Sequence, residues 1–173
     1  MCTSLNQKED IVSGKGIFSG YASVFNRVDT QKDIIAPGAF SDSLKRRKVA
    51  LLWQHNSKDP IGKILRLTED SFGLFVTAQL NLELLKAREV YSLLKKGIIN
   101  SLSIGYRVVT SRRDKRSGIR IITKIDLWEI SLVTFPANDK AKVSNVKKEK
   151  IQGYEDEERV LNSGMLVDSG ITL

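Results

Sequence analysis

Short apolar segments alternate with polar turns along most of the chain, a pattern that predicts a strand-rich fold. Residues 17–26 mix β-branched and aromatic residues and predict a first strand. Residues 49–55 form a compact apolar run that stops at polar residues, which places His55 at the end of another strand. Residues 61–80 contain two strand-like halves around an acidic, glycine-containing turn at 69–73, and they predict a β-hairpin.

A helical period is clearest at residues 82–96. Good helix formers fill this segment, and Gly97 follows two lysines as a natural C-terminal cap. Two further apolar runs, 101–109 and 118–133, predict later strands joined by the polar stretch 110–117. The apolar positions that predict the helix are Leu82, Leu85, Val90, Leu93 and Leu94.

These elements predict one folded domain with appendages, since 173 residues with 41% hydrophobic content suffice for one core. The domain is expected at residues 14–144, after an N-terminal extension at 1–13. Beyond it, residues 145–173 are charged, dotted with glycines and weakly periodic, which is typical of a disordered tail or a docking segment. A short helix at 156–161 is the alternative for this tail.

The net charge of +8 indicates an acidic partner or a polyanion such as nucleic acid. The basic residues are spread over several segments and lack the interleaved aromatic residues of a base-stacking surface. We therefore expect solvated basic loops with a general affinity for polyanions, and no specific nucleic-acid partner. The basic segments are 45–48, 93–97, 111–116 and 140–150.

Several other classes of protein and site are poorly supported by the residues present. A single cysteine, Cys2, cannot form an intramolecular disulfide, which favours a reducing compartment. The N-terminal residues lack the apolar core of a signal peptide, and no apolar run approaches the roughly 18 residues of a membrane helix. One histidine without clustered carboxylates predicts no metal site and no cofactor. The glycines at 14–20 lack the GK[ST] ending of a phosphate loop.

Nucleophilic catalysis, in contrast, needs only one histidine and one hydroxyl held on neighbouring strands. His55 is the only histidine in the chain. Ser103 is the candidate hydroxyl because Ser101, Ser103 and Gly105 share one strand face while apolar neighbours anchor the other. Gly105 would leave that face open to a substrate backbone. On this pattern alone, an ordinary structural serine is the simpler interpretation.

Glu129 is the candidate for a third catalytic group. A carboxylate beside the histidine would fix its tautomer and stabilise the imidazolium. Glu129 lies among apolar residues of the segment 118–133, where a buried charge is costly unless it has a partner. An inward Glu129 near His55 explains this position, and a glutamate on an edge strand facing water explains it equally well.

Five stretches of sequence within residues 15–145 carry recognisable short motifs. Within them, a histidine precedes Pro-Ile-Gly, Ser-Ile-Gly-Tyr follows, and Glu-Ile-Ser-Leu-Val precedes Pro-Ala. With these elements the chain resembles the HK97-type prohead proteases of tailed bacteriophages, which are serine proteases of capsid maturation related in fold to the herpesvirus assemblins. The stretches are "GYASVFNRVDTQKDIIAPGAF", "LLWQHNSKDPIGKI", "EDSFGLFVTAQL", "LLKKGIINSLSIGYRV" and "DLWEISLVTFPANDKAKV".

The resemblance implies a β-rich α+β fold, a mostly antiparallel assemblin-like β-barrel of six to seven strands surrounded by a few helices. It implies a serine endopeptidase with Ser103 as nucleophile, His55 as general base and Glu129 as third member, and no cofactor. The assemblins carry a second histidine at the third position, so Glu129 rests on the phage family alone. The oxyanion donors stay open, because the assemblins use an arginine-bearing segment where this chain has "FPAND", while Arg112 and Arg113 lie elsewhere.

The resemblance further implies a place in virion morphogenesis. Expected partners are the major capsid protein or the scaffolding protein, cleaved inside the procapsid in the cytoplasm of a bacterial host, usually with cleavage of the protease itself. Residues from 145 onward would then be a targeting or autocleavage segment. A homodimer is expected by analogy with the assemblins, and a higher-order or monomeric state stays open as the alternative. Two alternatives stay open: an inactive assembly factor with a protease fold, and a basic barrel with steeply salt-dependent DNA affinity.

Overall fold

The computed structural model describes residues 16–46 and 48–147. Within these ranges the chain forms eight strands, one α-helix and a short 3-10 helix at Ser43–Lys45. The α-helix, α1, spans Leu85–Lys95. The strands are β1 (Ile17–Val24), β2 (Asp33–Ile35), β3 (Ala50–Trp53), β4 (Asn56–Glu69), β5 (Gly73–Leu80), β6 (Ser101–Arg113), β7 (Arg120–Val133) and β8 (Val143–Val146).

All of these strands belong to one sheet, in the order β6, β7, β3, β4, β5, β1 and β8, with the short β2 beside the first part of β7. Most neighbours are antiparallel, whereas β2 and β3 pair with β7 in parallel. The start of β6 also bonds to the segment that leads into β8, from Leu102 N to Ala141 O (3.0 Å) and from Val143 N to Asn100 O (2.8 Å). The sheet therefore curls into a half-barrel.

A hydrophobic core cluster joins residues from the sheet and from α1. In β5, every second residue from Leu74 to Leu80 is buried, as the two-residue period of a strand requires. Leu85, which the sequence pattern placed on the apolar face of the helix, is exposed instead. The helix packs against the sheet through a buried stripe at helical spacing, formed by Ala87, Val90, Tyr91 and Leu94.

The observed architecture agrees with the expected fold class, because strands dominate and their pairing is mostly antiparallel. The described residues hold one strand more than the upper expectation of seven, since the three-residue β2 and the four-residue β8 both join the sheet. The β4–β5 hairpin and α1 lie where the sequence predicted them. Gly97 follows the helix with a left-handed φ of 68°, which suits a C-terminal cap.

The polar stretch 110–117 does not form a loop throughout, as the sequence predicted. Strand β6 continues to Arg113 and pairs there with Arg120, so the connection to β7 is only 114–119. The side chains of β6 after Val108 are exposed, so a polar sequence can continue the ladder without burying charge.

The predicted domain limits are only partly covered by the described residues. Strand β8 runs to Val146 and crosses the boundary predicted at residue 144. The N-terminal extension at 1–13 and the tail beyond residue 147 lie outside the described residues, so the division remains a prediction. Across the described ranges, the structure contains no helix with the length and apolar character needed to span a membrane.

Candidate active site

His55 lies in a tight turn between β3 and β4, just beyond the strand end that the sequence predicted. Gln54 and His55 have φ angles of 53° and 59°, in the left-handed region that non-glycine residues rarely adopt. Trp53 pairs with Asn56 across them, which gives a two-residue hairpin of the type with positive φ at both central positions. Each such residue costs about 1 kcal/mol or more, so neighbouring structure must hold the turn.

Strand β7 and the residue that follows it hold this turn by hydrogen bonds to both of its residues. Gln54 N donates to Leu132 O (3.0 Å), and Gln54 Nε2 donates to Thr134 Oγ1 (2.7 Å). His55 N donates to the hydroxyl of Ser131 (3.0 Å). A strained backbone that its surroundings support in this way is typical of functional sites. In this chain, the strained turn places the imidazole of His55 against β7.

Glu129 faces inward and meets this imidazole. Its Oε1 lies 2.5 Å from His55 Nδ1, and its Oε2 accepts a hydrogen bond from Ser131 Oγ (2.7 Å). Parallel pairing of β3 with β7 brings the two elements together, because Ala50 pairs with Glu129 and the turn follows at the end of β3. Glu129 is only 9% exposed. Of the two interpretations left open by the sequence, the structure therefore supports the inward glutamate.

Ser103 lies on β6, directly opposite Ser131 of β7, and is 6% exposed. Ser103 and His55 line the same cleft, which has a volume of about 330 Å³. Among the described residues, no hydrogen bond joins Ser103 to the imidazole. Hydrogen bonds between a nucleophile and its base often shorten only when substrate binds. Glu129 engages Nδ1, so Nε2 is the ring nitrogen left for a nucleophile. The structure thus brings the three predicted residues to one site.

The carboxylate of Glu129 changes the acid-base behaviour of His55. Its hydrogen bond to the ring is the largest influence and raises the pKa of His55 above the ordinary 6.5. Partial burial opposes this rise by disfavouring the charged ring, and the Coulomb attraction of Glu129 adds to it. His55 therefore holds its proton more tightly than a free histidine does.

Gly105 makes room for Glu129, which it faces across β6 and β7. A Cβ atom at this position would lie 2.1 Å from Glu129 Oε1 and 2.8 Å from its Cδ. The sequence predicted that this glycine opens the strand face to a substrate. The structure gives a further reason for a glycine here, because Glu129 occupies the space beside it, while Gly105 also lines the cleft that contains Ser103.

The sequence did not predict the polar side chains Asp33, Tyr106 and Arg120, which line part of the cleft. Asp33 is 2% exposed and accepts two hydrogen bonds from Arg120, one of them from Nε to Oδ1 at 2.8 Å. Burial, followed by the carboxylates of Asp33 and Asp29, raises the pKa of Tyr106 to about 12, so this phenol stays protonated. The one available signal was an aspartate directly before two isoleucines, a charge at the edge of an apolar strand.

The loop after β7 contributes Ala137 and Asn138 to the same cleft. Asn138 Nδ2 donates to Val24 O (2.9 Å), which ties this loop to the end of β1. Arg112 and Arg113 belong to the outer part of β6 and are not among the residues that line the cleft. Within residues 16–46 and 48–147, no three His, Cys, Asp or Glu side chains are grouped as metal ligands would be.

Sequence comparison relates this chain to a known protein family. The family profile described as caudovirus prohead serine protease matches residues 3–157. The chain belongs to this prohead protease family. The prohead protease of Enterobacteria phage HK97 is 39% identical over 137 residues, which are 77% of this chain and 61% of that protein. The prohead protease of Escherichia phage T5 is 30% identical over 123 residues, 69% of this chain and 57% of that protein.

This member of the prohead protease family therefore spans less than two thirds of the length of these two relatives. Solved structures share its fold at low sequence identity. The capsid assembly protease of bacteriophage T4 has a TM-score of 0.55 at 11% identity, covering 68% of this chain and 80% of that one. A KSHV protease bound to a hexapeptide phosphonate inhibitor has a TM-score of 0.53 at 14% identity, covering 75% and 64%. The expected assemblin-like architecture is thus confirmed.

Proposed function

We propose that this chain is a serine endopeptidase of prohead maturation, with Ser103 as nucleophile, His55 as general base and Glu129 as the carboxylate that orients the base. The observation that carries the proposal is the 2.5 Å contact between His55 Nδ1 and Glu129 Oε1, beside a cleft that His55 shares with Ser103. Since Nδ1 donates to the carboxylate, Nε2 keeps its lone pair for the serine proton. Membership of the prohead protease family supports the same roles.

The first half of the proposed reaction forms an acyl-enzyme. Ser103 Oγ attacks the peptide carbonyl carbon while His55 Nε2 takes the hydroxyl proton, and the carbonyl electron pair moves onto oxygen. When this pair returns, the C–N bond breaks and Nε2 gives its proton to the leaving amine. The carboxylate of Glu129 stabilises the imidazolium that exists between the two proton transfers.

The second half repeats the same proton transfers with water. His55 Nε2 takes a proton from water as the water oxygen attacks the ester carbonyl, and it returns the proton to Ser103 Oγ as the ester bond breaks. The products are a carboxylic acid and the regenerated serine. Chain order His, Ser, Glu does not affect this chemistry, because a triad is defined by geometry and role.

The proposed substrates are the scaffolding protein or the scaffolding segment of the major capsid protein, together with the chain itself. A further relative supports a link to capsid proteins: 77% of this chain matches, at 31% identity, 20% of a protein named capsid polyprotein from Pseudomonas phage PAJU2. The net charge of +8 suits docking onto acidic segments of such partners. We place this activity inside the procapsid in the bacterial host, and we expect the enzyme to be a homodimer.

A covalent probe tests the proposed nucleophile without knowledge of the substrate. We expect a fluorophosphonate to add one phosphonyl group to the full-length protein, on the peptide that contains Ser103, because only an activated serine attacks phosphorus at a useful rate. Intact mass and peptide mapping by mass spectrometry measure the adduct. Ser103→Ala should gain no adduct, while Ser101→Ala should be labelled like the wild type.

Ser101 is the matched control because it lies two residues away on the same strand and is 4% exposed. Its hydroxyl accepts a hydrogen bond from Lys142 Nζ (2.8 Å), and within the described ranges it forms no hydrogen bond with a member of the proposed triad. An adduct on Ser101, or an unchanged adduct in Ser103→Ala, would contradict the assignment of the nucleophile.

The labelling rate should also depend on pH in a defined direction. The base must be neutral, and Glu129 raises the pKa of His55, so the rate should rise with pH and reach half its maximum above pH 6.5. Glu129→Gln keeps the shape of the side chain but removes its charge, so the midpoint should fall toward 6.5 and the maximal rate should drop. A midpoint that does not respond to Glu129→Gln would exclude this carboxylate as the partner of the base.

A further inference from the structure

Ser131 contacts both His55 and Glu129, yet it has no role in the three-residue site proposed above. It is fully buried, with 0% exposure, near the end of β7. We propose that Ser131 is a positioning residue, which holds His55 and Glu129 in register through one hydroxyl group. The proposal rests on the proposed function, since it assigns Ser131 to the same site.

The directions of the two hydrogen bonds follow from the groups involved. The backbone N–H of His55 can only donate, so the oxygen of Ser131 accepts this bond at 3.0 Å. A hydroxyl has one proton, and the ionised carboxylate of Glu129 can only accept, so this proton goes to Oε2 at 2.7 Å. Both bonds are therefore made at once by one side chain, in a single orientation of its hydroxyl.

The two hydrogen bonds of Ser131 constrain both the side chain and the backbone of His55. Oε1 of Glu129 contacts the imidazole and Oε2 is held by Ser131, so the carboxylate cannot rotate without breaking one of the bonds. The other bond of Ser131 anchors the backbone of His55, where the φ of 59° would relax if left unsupported. Ser131 thus fixes the distance between the imidazole and the carboxylate.

The position of Ser131 also relates this pair to the nucleophile. Ser131 is the direct cross-strand partner of Ser103, and such partners have Cβ atoms about 5 Å apart. On its other side, β7 pairs with β3, where Leu52 faces Ser131. Residues from β6, from β7 and from the turn after β3 therefore meet around one serine.

The titration of His55 tests this proposal directly. Because the chain has one histidine, a proton–carbon NMR spectrum of its ring follows that residue without assignment. The measurement uses the full chain with Ser103→Ala in every sample, so that self-cleavage cannot occur. We expect Ser131→Ala to lower the pKa of His55 toward the ordinary 6.5, because the freed carboxylate moves away from the ring.

Ser43→Ala is the matched control. Ser43 is also buried, at 2% exposure, and its hydroxyl accepts a hydrogen bond from the β7 backbone, from Leu127 N at 2.7 Å. Removing the Ser43 hydroxyl therefore deletes a comparable hydrogen bond to β7, at a position away from His55 and Glu129. We expect Ser43→Ala to lower the melting temperature and to leave the pKa of His55 unchanged. Ser131→Thr keeps a hydroxyl and should restore most of the wild-type pKa.

Activity supplies a second readout in chains that retain Ser103. The rate of phosphonate labelling should fall about 10- to 100-fold in Ser131→Ala, the range expected for a hydrogen bond to a charged group, and should fall little in Ser43→Ala. A pKa of His55 that rises or stays unchanged in Ser131→Ala would overturn the proposal. Because the titration needs no substrate and no nucleophile, its result is independent of whether Ser103 attacks peptides.

Discussion

Replacing Ser103 with alanine is expected to abolish cleavage of the cognate capsid and scaffolding proteins when all chains are produced together in bacteria. Without Oγ no acyl-enzyme can form, and loss of a triad serine lowers the rate of a serine protease by roughly 10⁶-fold. The intact mass of every chain is the measurement. The wild-type chain should truncate the capsid protein, the scaffolding protein or its own tail, and Ser103→Ala should leave every mass at full length.

Two further variants make this result specific. His55→Ala should abolish truncation as Ser103→Ala does, because both remove a member of one unit. Ser101→Ala should cut normally, since its hydroxyl bonds to Lys142 and not to the site. Truncation that continues without Ser103 would show that the nucleophile is misassigned. A wild-type chain that never cuts its partners would favour the alternative of an inactive assembly factor.

Gly105→Ala should have the second largest effect, although it adds only a methyl group. The new Cβ would lie 2.1 Å from Glu129 Oε1, which no real contact permits, so the carboxylate must move away from His55. Loss of the group that orients the base costs up to about 10⁴-fold in serine proteases. We expect truncation in the co-expression experiment to fall by about 10²- to 10⁴-fold, while alanine in a strand leaves the fold intact, as circular dichroism would show.

A double-mutant cycle separates this explanation from general damage to β6. In Glu129→Ala the carboxylate is absent, so alanine at position 105 has nothing to displace. Gly105→Ala combined with Glu129→Ala should therefore be no slower than Glu129→Ala alone. If the two losses simply add, the methyl group acts elsewhere, and Gly105 does not serve to accommodate the glutamate.

Local patterns were sufficient for the elements whose contacts are near in sequence. The β4–β5 hairpin was predicted because both strands flank their own acidic turn, and α1 because good helix formers precede a glycine that can adopt positive φ. The three site residues were also available from the sequence. His55 is unique in the chain, Ser103 stands on an anchored strand, and Glu129 is a charge within an apolar run. Their grouping required the family resemblance.

The contacts within the site depended on tertiary structure. His55 and Glu129 are 74 residues apart, and they meet because β3 pairs in parallel with β7, which no local pattern specifies. Likewise, the turn at Gln54 and His55 lacks the glycine or asparagine that usually marks positive φ. Its conformation is imposed by hydrogen bonds from β7, so it could not be recognised in advance.

The sequence by itself thus determined the family, the strand-rich fold class and the residue types of the candidate site. Tertiary structure alone decided that Glu129 points inward toward His55, that Gly105 accommodates a carboxylate, and that Ser131 forms hydrogen bonds with both His55 and Glu129. The physical reason is that alternation along a strand specifies which face each side chain occupies. It does not specify which strand becomes the neighbour, and side chains on neighbouring strands form this site.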